Sequence, residues 1–348
     1  MIDVGLIGFG LAGKAFHAPV ISAVDGLRLA AIVERSRPGA AAAYPDAEIV
    51  GSVPELLARE NIRLVVVATP NTTHYEIARD ALRAGRHVVV DKPLTPSWRE
   101  GEELARLACE QRVLLSVYQN RRWDGDFLTV RKLIEEQRLG RLVLFESHFD
   151  RYRPEPRPSA WREQPGPGSG LLFDLGTHLI DQAVLLFGAP QALRADVRAE
   201  RRGALVDDAF DVLLRYPTLR VSLHASMLRS SPRARFALHG TRGSYVKYGL
   251  DPQEEALKRG ETPLRASHGV ERPEAWGTLS TAENGQIESR PLETLAGEYG
   301  RYYENVRDAI LGKTRLAVTP EQALTVLRII ELACHSSARG CDLPFARH

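Results

Sequence analysis

Cysteine is nearly missing from this chain of 348 residues: only Cys109, Cys334 and Cys341 are present. Three is an odd number for a disulfide framework, and their spacing fits no metal site. Reduced thiols in a cytoplasmic protein are the expectation. Long apolar runs are missing too. No stretch approaches the roughly 18 residues of a membrane span, so no membrane partner is expected. An apolar strand starts at Ile2, with neither a basic leader nor a small-residue cleavage site before it, so no signal peptide is expected. Charge of one sign is lacking: Lys+Arg number 46 and Asp+Glu 44. That balance argues against a broad nucleic-acid surface. There is no internal repeat and no long low-complexity tract. Lysine is the last scarcity, with six against 40 arginines.

What remains is ample for two packed domains, with 44% apolar residues and a length near twice the usual domain size. Apolar runs at 4–8, 27–33, 64–68, 87–90 and 113–117 read as buried strands. Helical segments near 12–23, 53–60, 73–84 and 97–110 alternate with them. Thr72 or Thr73 could cap the third helix, and Gly85 stops it. Such alternation predicts a doubly wound parallel sheet covered on both faces, an α/β domain over residues 1–121. After Arg122 the pattern changes. A helix near 126–138 leads to strand-like runs at 142–149, 192–199, 209–216, 219–226, 234–239 and 244–248. Several alternate with a period of two, as antiparallel strands do. Residues 251–297 read as surface excursions, and two helices near 298–311 and 320–338 finish the chain. Residues 122–348 thus form an α+β domain for substrate binding and oligomerisation, whose last helix is free to pack back on the first domain.

GFGLAG, residues 8–13, fits G-x-G-x-x-G, follows a strand and opens a helix. Gly8 permits the tight turn, Gly10 lets backbone approach a pyrophosphate, and Gly13 allows close helix–strand packing. Leu11 and Ala12 complete the loop, and the helix N-terminus offers amides to phosphate. The second strand ends at Val33. Glu34 then stands where a carboxylate holds the ribose hydroxyls of NAD, while Arg35 and Arg37 suit the 2′-phosphate of NADP. The signals conflict, with a slight lean to NAD because the carboxylate repels the extra phosphate. Thr69, Pro70 and Asn71 form a turn at the carboxyl edge of the sheet, beside the cofactor, with His74 close behind. His74 reads more readily as a capping or solvent-facing residue than as a catalytic one.

The fourth strand ends in Asp91-Lys92-Pro93. In a chain that prefers arginine, a lysine at a buried strand end is notable, because lysine can lose its proton when desolvated and arginine cannot. In GLLFDLGTHLIDQAVLLFG, residues 170–188, Asp174 and His178 stand four apart on one helix face. Leu175, Leu179, Ala183 and Leu186 line another, which is the one to bury. Two ligands on a helix face could suggest a metal, but no third is apparent and none is expected.

GFGLAG, ATPNTTH, AGRHVVVDKPLT and GLLFDLGTHLIDQ together resemble the Gfo/Idh/MocA oxidoreductases along essentially the whole chain. SVYQNRRWDGDFLTV, ESHFDRYRP, WREQPGPGSG and HGTRGSYVKYGLDPQEE resemble the branch that holds bacterial NADP-dependent scyllo-inositol dehydrogenase. The resemblance implies a nicotinamide-binding Rossmann domain and a second domain with an open, mostly antiparallel sheet. It implies that Lys92, with Asp91 before it, is the catalytic lysine, that the Lys92–Pro93 bond is cis, and that Asp174 and His178 complete the site. Their helix edge is expected to face the nicotinamide. The implied reaction is reversible oxidation of a secondary alcohol of an inositol or sugar-type polyol with NAD(P). His178, with a reference pKa near ~6.5, acts as general base. Lys92 steadies developing alkoxide charge. Asp174 binds a neighbouring hydroxyl or tunes His178. Tyr118, Asn120 and Arg121 after the fifth strand, and Arg151, Tyr152, Trp161 and Arg162 in the proline-rich loop, are further candidates for contacts to substrate. Trp161 reads equally as a packing anchor. Two alternatives stay open: a reductase of a conjugated non-sugar substrate, as biliverdin reductases are, and a regulator that binds cofactor without turnover. Pairing through the second sheet into a homodimer or homotetramer is expected, on the ground that Val212, Leu214, Val221 and Leu223 cannot all point inward.

Overall fold

The computed structural model describes every residue except 36–38, 265–266, 284–285 and 347–348. The chain divides into two compact units, each built from three segments of the sequence. The first takes Met1–Trp123, Pro252–His268 and Glu298–Leu324. The second takes Asp124–Asp251, Gly269–Gly297 and Thr325–His348.

The first unit holds strands β1 (Ile2–Ile7), β2 (Leu27–Val33), β3 (Glu48–Val50), β4 (Ile62–Val67), β5 (His87–Val90) and β6 (Leu115–Val117). Their order is β3-β2-β1-β4-β5-β6, and every pairing is parallel. This is the doubly wound order whose direction of winding reverses between β1 and β4. Val65, Val66, Val67, Val89 and Val90 are fully buried, as strands covered on both faces must be. Ser52 and Ser97 cap helices Val53–Leu57 and Trp98–Gln111 by accepting from the amides of Glu55 and Glu100. Thr73 caps nothing. Its hydroxyl turns back to the Pro70 carbonyl at 2.8 Å and the Thr69 hydroxyl at 2.7 Å. Strand β3 had no clear signal in the sequence, because three residues are too few for a period to show.

The second unit carries β7 (Leu142–His148), β8 (Ala192–Arg198), β9 (Ala209–Arg215), β10 (Arg220–Ser226), β11 (Phe236–Gly240), β12 (Gly243–Lys247), β13 (Gly277–Glu283), β14 (Gln286–Leu292) and β15 (Leu343–Pro344). They form one sheet in the order β14-β13-β12-β11-β7-β10-β9-β8-β15. Only β7 and β10 pair in parallel; the other pairings are antiparallel. The hairpin β13–β14 lies in the stretch read from sequence as excursions. Its residues are mostly polar, so no apolar alternation marked it.

One expectation needs correction. Val212, Leu214, Val221 and Leu223 are all fully buried. Leu214 lies opposite Val221 and Val212 opposite Leu223, and residues directly opposite share a face. All four therefore join Leu175, Leu179, Ala183 and Phe145 in one core. The other face presents polar groups: Asp211 bonds His224, and the His224 ring stacks on His148 with centroids 4.9 Å apart. The four residues leave no apolar surface to cover, and the argument for pairing built on them fails.

Candidate active site

At the winding reversal of the first unit, the carboxyl ends of β1 and β4 border a cleft of about 380 Å³. Gly8, Phe9, Gly10, Glu34, Arg35, Thr69 and Pro70 are among its lining residues. The glycines behave as their spacing requires. Gly8 has φ +99°, and a Cβ there would lie 2.6 Å from the Ala68 carbonyl oxygen. A Cβ on Gly13 would meet the Gly8 carbonyl oxygen at 2.0 Å. A Cβ on Gly10 would meet nothing within 4 Å, so that side of the backbone is open where a pyrophosphate would pass. The helix that follows opens with a π-helical turn over Ala12–His17, and Leu11 stands exposed beside it. These residues fit a dinucleotide.

Glu34 does more than line the wall. Its Oε2 accepts from the amides of Gly39 at 3.2 Å and Ala40 at 3.1 Å, at the start of the short helix Ala40–Ala43. The carboxylate is thereby held in place at the cleft. Arg35 lies exposed next to it; Arg37 falls outside the described residues.

Two strands along from β1, β5 runs into Asp91 and Lys92. The Lys92–Pro93 bond is cis. Asp91 is buried, and its Oδ1 accepts from the Lys92 amide at 2.8 Å. Burial pushes the Asp91 carboxyl up, but His17, Lys92 and His74 outweigh it and hold the carboxyl below the usual range. His17 Nε2 is 3.9 Å from Asp91 Oδ1, and its Nδ1 shares a 2.6 Å hydrogen bond with the Tyr303 hydroxyl. Tyr118 packs on His17 with ring centroids 4.3 Å apart and donates its hydroxyl to the Phe16 carbonyl. Tyr118, expected at substrate, is thus a core residue. His74, expected at the cofactor, is fully buried, with its ring nitrogens on the carbonyls of Pro93 and Thr69. Asn71 is buried as well. Arg121 is buried with its guanidinium on Glu254, and Asn120 opens the turn Asn120–Trp123.

In the second unit, Asp174 lies in a π-helical turn, Leu172–Gly176, that runs directly into the helix Thr177–Phe187 with His178 near its start. Single π turns inside helices recur at functional sites because they displace one side chain from the regular ladder. Asp207 anchors this start: its Oδ2 accepts from the Leu172 amide at 2.8 Å and its carbonyl from the Leu171 amide at 2.9 Å. Gly170 must be glycine, since it has φ +89° and a Cβ there would strike the Asp207 carboxylate. Burial raises the Asp207 carboxyl to about 6, against the pull of the Leu171 and Leu172 amides. Arg162 Nε stands 3.3 Å from Asp174 Oδ1, with its guanidinium 4.3 Å over the Trp161 ring. Trp161 therefore packs on the arginine that pairs Asp174. Tyr152 is 60% exposed and Arg151 lies against the Phe149 ring.

Sequence reasoning missed His17 and Asp207. His17 follows the glycine motif by four residues and carried no signal of its own. Asp207 sits 33 residues beyond Asp174 in a stretch with no periodicity. No described group of three or more His, Cys, Asp or Glu could hold a metal, and no described helix is long and apolar enough to cross a membrane.

Known proteins resemble this architecture. Residues 2–119 match the Gfo/Idh/MocA model described as an oxidoreductase family with an NAD-binding Rossmann fold. Residues 131–344 match the model of that family's C-terminal alpha/beta domain. The uncharacterized oxidoreductase YdgJ of Escherichia coli is 45% identical over 99% of each chain. The scyllo-inositol 2-dehydrogenase (NADP(+)) IolW of Bacillus subtilis is 40% identical over 97% of this chain and 94% of its own. The crystal structure of the oxidoreductase yvaA from Bacillus subtilis superimposes with a TM-score of 0.96 at 39% identity, covering 99% of this chain and 98% of that one. The chain belongs to the Gfo/Idh/MocA family of oxidoreductases and carries its NAD(P)-binding Rossmann domain.

Proposed function

We propose that this oxidoreductase interconverts a secondary alcohol and a ketone on an inositol or sugar-type polyol. The observation that carries the reading is the retention of Lys92 and of the Asp174–His178 pair, each on an element built around it. Lys92 leaves β5 with its amide fixed by a buried carboxylate. His178 follows a π turn anchored by Asp207. A bound nicotinamide supplies the hydride acceptor. His178 takes the hydroxyl proton as general base. Lys92 donates a hydrogen bond to the substrate oxygen and stabilises the charge that develops there. Asp174, paired with Arg162, is a ligand for a neighbouring hydroxyl. That pairing offsets its charge, so it favours substrate binding over tuning of His178 as its role. The relative that acts on scyllo-inositol supports the polyol class.

We also propose NAD as the favoured cofactor. Glu34 is fixed at the cleft by two amides and cannot easily swing away from a 2′-phosphate. The test is a panel of inositol isomers and aldoses assayed with NAD and NADP. Turnover of at least one inositol or aldose is expected. Absence of turnover across the panel with both cofactors would refute the polyol reading.

A further inference from the structure

His74 is fully buried at the start of the helix His74–Arg83. Its Nδ1 lies 2.8 Å from the Pro93 carbonyl oxygen, and its Nε2 lies 2.9 Å from the Thr69 carbonyl oxygen. Carbonyl oxygens only accept. A neutral imidazole has one N–H and one lone pair, so it can satisfy one of these contacts and must oppose the other. Only the doubly protonated ring donates to both. Turning the ring over would set carbons against the carbonyls and lose both bonds. A buried cation needs an anion, and the Asp91 carboxylate at the end of β5 couples to it electrostatically; Lys92 is the neighbouring cation.

The two carbonyls belong to different loops. Thr69 follows β4 and lines the nucleotide cleft. Pro93 is the residue after Lys92. One ring therefore bolts together the turn that borders the cofactor and the turn that carries the lysine.

We propose that His74 is a positioning residue, a buried imidazolium that fixes the Lys92–Pro93 turn against the Thr69 turn and so sets where Lys92 stands relative to the cofactor. The proposal rests on the role given to Lys92 above. Its structural half does not, and the tests separate the two.

The first test is nitrogen NMR of the full chain with labelled histidine at pH 8. The His74 signals, assigned by their absence in His74→Gln, are expected to show both ring nitrogens protonated. A neutral tautomer would overturn the clamp. The second test is kinetic. His74→Asn is expected to lower kcat by about 10- to 100-fold, the usual cost of misplacing a reacting group, with little change in KM for the polyol. In a Lys92→Ala background the same substitution should cost less than about 2-fold, because nothing is left to position. An equal loss in both backgrounds would overturn the positioning role. If His74→Asn does not fold, His74→Gln, which keeps one donor, takes its place and should lose less. Full turnover in Lys92→Ala itself would sink the reading of Lys92 while the NMR result still decides the clamp.

Discussion

The two units place their ionisable groups by different rules. In the first, the strands are dry. Val65 to Val67 and Val88 to Val90 are almost wholly buried, and the groups that carry chemistry sit just past the strand ends: Glu34 after β2, Thr69 after β4, Asp91 and Lys92 after β5. In the second, charge enters the packed layer itself. Asp126, Arg235 and Lys247 are essentially without exposure. Arg235 lies 3.7 Å from Asp126 and 4.1 Å above the Phe236 ring, and it reaches Gln182 at 2.8 Å. Lys247 pairs Glu271 at 3.0 Å. A parallel sheet covered on both faces has no wet side, so polar groups collect at its edge. A mixed sheet with one open face tolerates buried charge wherever a partner is near. In the first unit, location in the fold points to role. In the second it does not, and a buried lysine such as Lys247 is a structural group, although it ends its strand and Lys92 lies just past the end of β5.

The strongest way to break this contrast is to alter the one helix of the second unit that is given a chemical role. His178→Ala is expected to lower turnover by about 10²- to 10⁴-fold, the worth of a general base, and to remove the acid limb of the kcat/KM profile. Steady-state kinetics from pH 5 to 9 measure both. An intact acid limb would show that another group is the base. Next in size is Lys247→Met. Taking one partner from a buried pair leaves Glu271 uncompensated, which costs about 3–5 kcal/mol. The exposed pair of Lys132 with Glu136 should lose less than ~1 kcal/mol on Lys132→Met. Denaturant midpoints of the two variants compare buried and surface charge within one unit, and similar losses would refute the distinction.

Asp207 offers a smaller effect with a definite sign. Its folded carboxyl titrates at about 6, while an unfolded Asp titrates near ~3.9. Between these values the folded chain keeps a proton that the unfolded chain has lost, so stability falls as pH rises. The contribution is complete below pH ~4 and lost as pH passes about 6. It amounts to roughly 3 kcal/mol at ~1.4 kcal/mol per pH unit. Denaturation of the wild type and of Asp207→Asn from pH 4 to 7 should show their difference shrinking by that order. A constant difference would mean that Asp207 is ionised throughout. Smallest is Glu34→Ser in the first unit. Removing one carboxylate near a phosphate is worth ~1 kcal/mol. The ratio of kcat/KM for NADP over NAD should rise about 5- to 10-fold, and a shift toward NAD would show that Glu34 does not face the ribose.

The sequence disclosed most of this design, unevenly. Five of the six parallel strands, and β7 to β12, were readable because their apolar runs obey the periods of buried and half-buried strands. The hairpin β13–β14 was not, since β14 lies almost wholly exposed and β13 carries few apolar residues to set a period. The glycine motif was legible because each glycine answers a steric demand. His74 was visible as a residue but its role was hidden: the two carbonyls it joins, those of Thr69 and Pro93, stand 24 positions apart in the chain. The buried setting of Tyr118 was hidden for a related reason. Its proximity to a strand end was visible, whereas Tyr302 and Tyr303, which pack around it, arrive from nearly two hundred residues away.

That distance also bears on how the protein is made. The first unit closes only with Glu298–Leu324, which brings the tyrosines that bury His17 and Tyr118. A ribosome adding ~5–20 residues per second needs on the order of 10–40 s to travel from the end of β6 to that segment. Throughout that time the nascent nucleotide domain has its strands but lacks the side chains that fill the space beside Asp91. Residues 1–123 alone are therefore a poor boundary for expressing a cofactor-binding fragment, and the domain reaches its finished interior only after Glu298–Leu324 has been made.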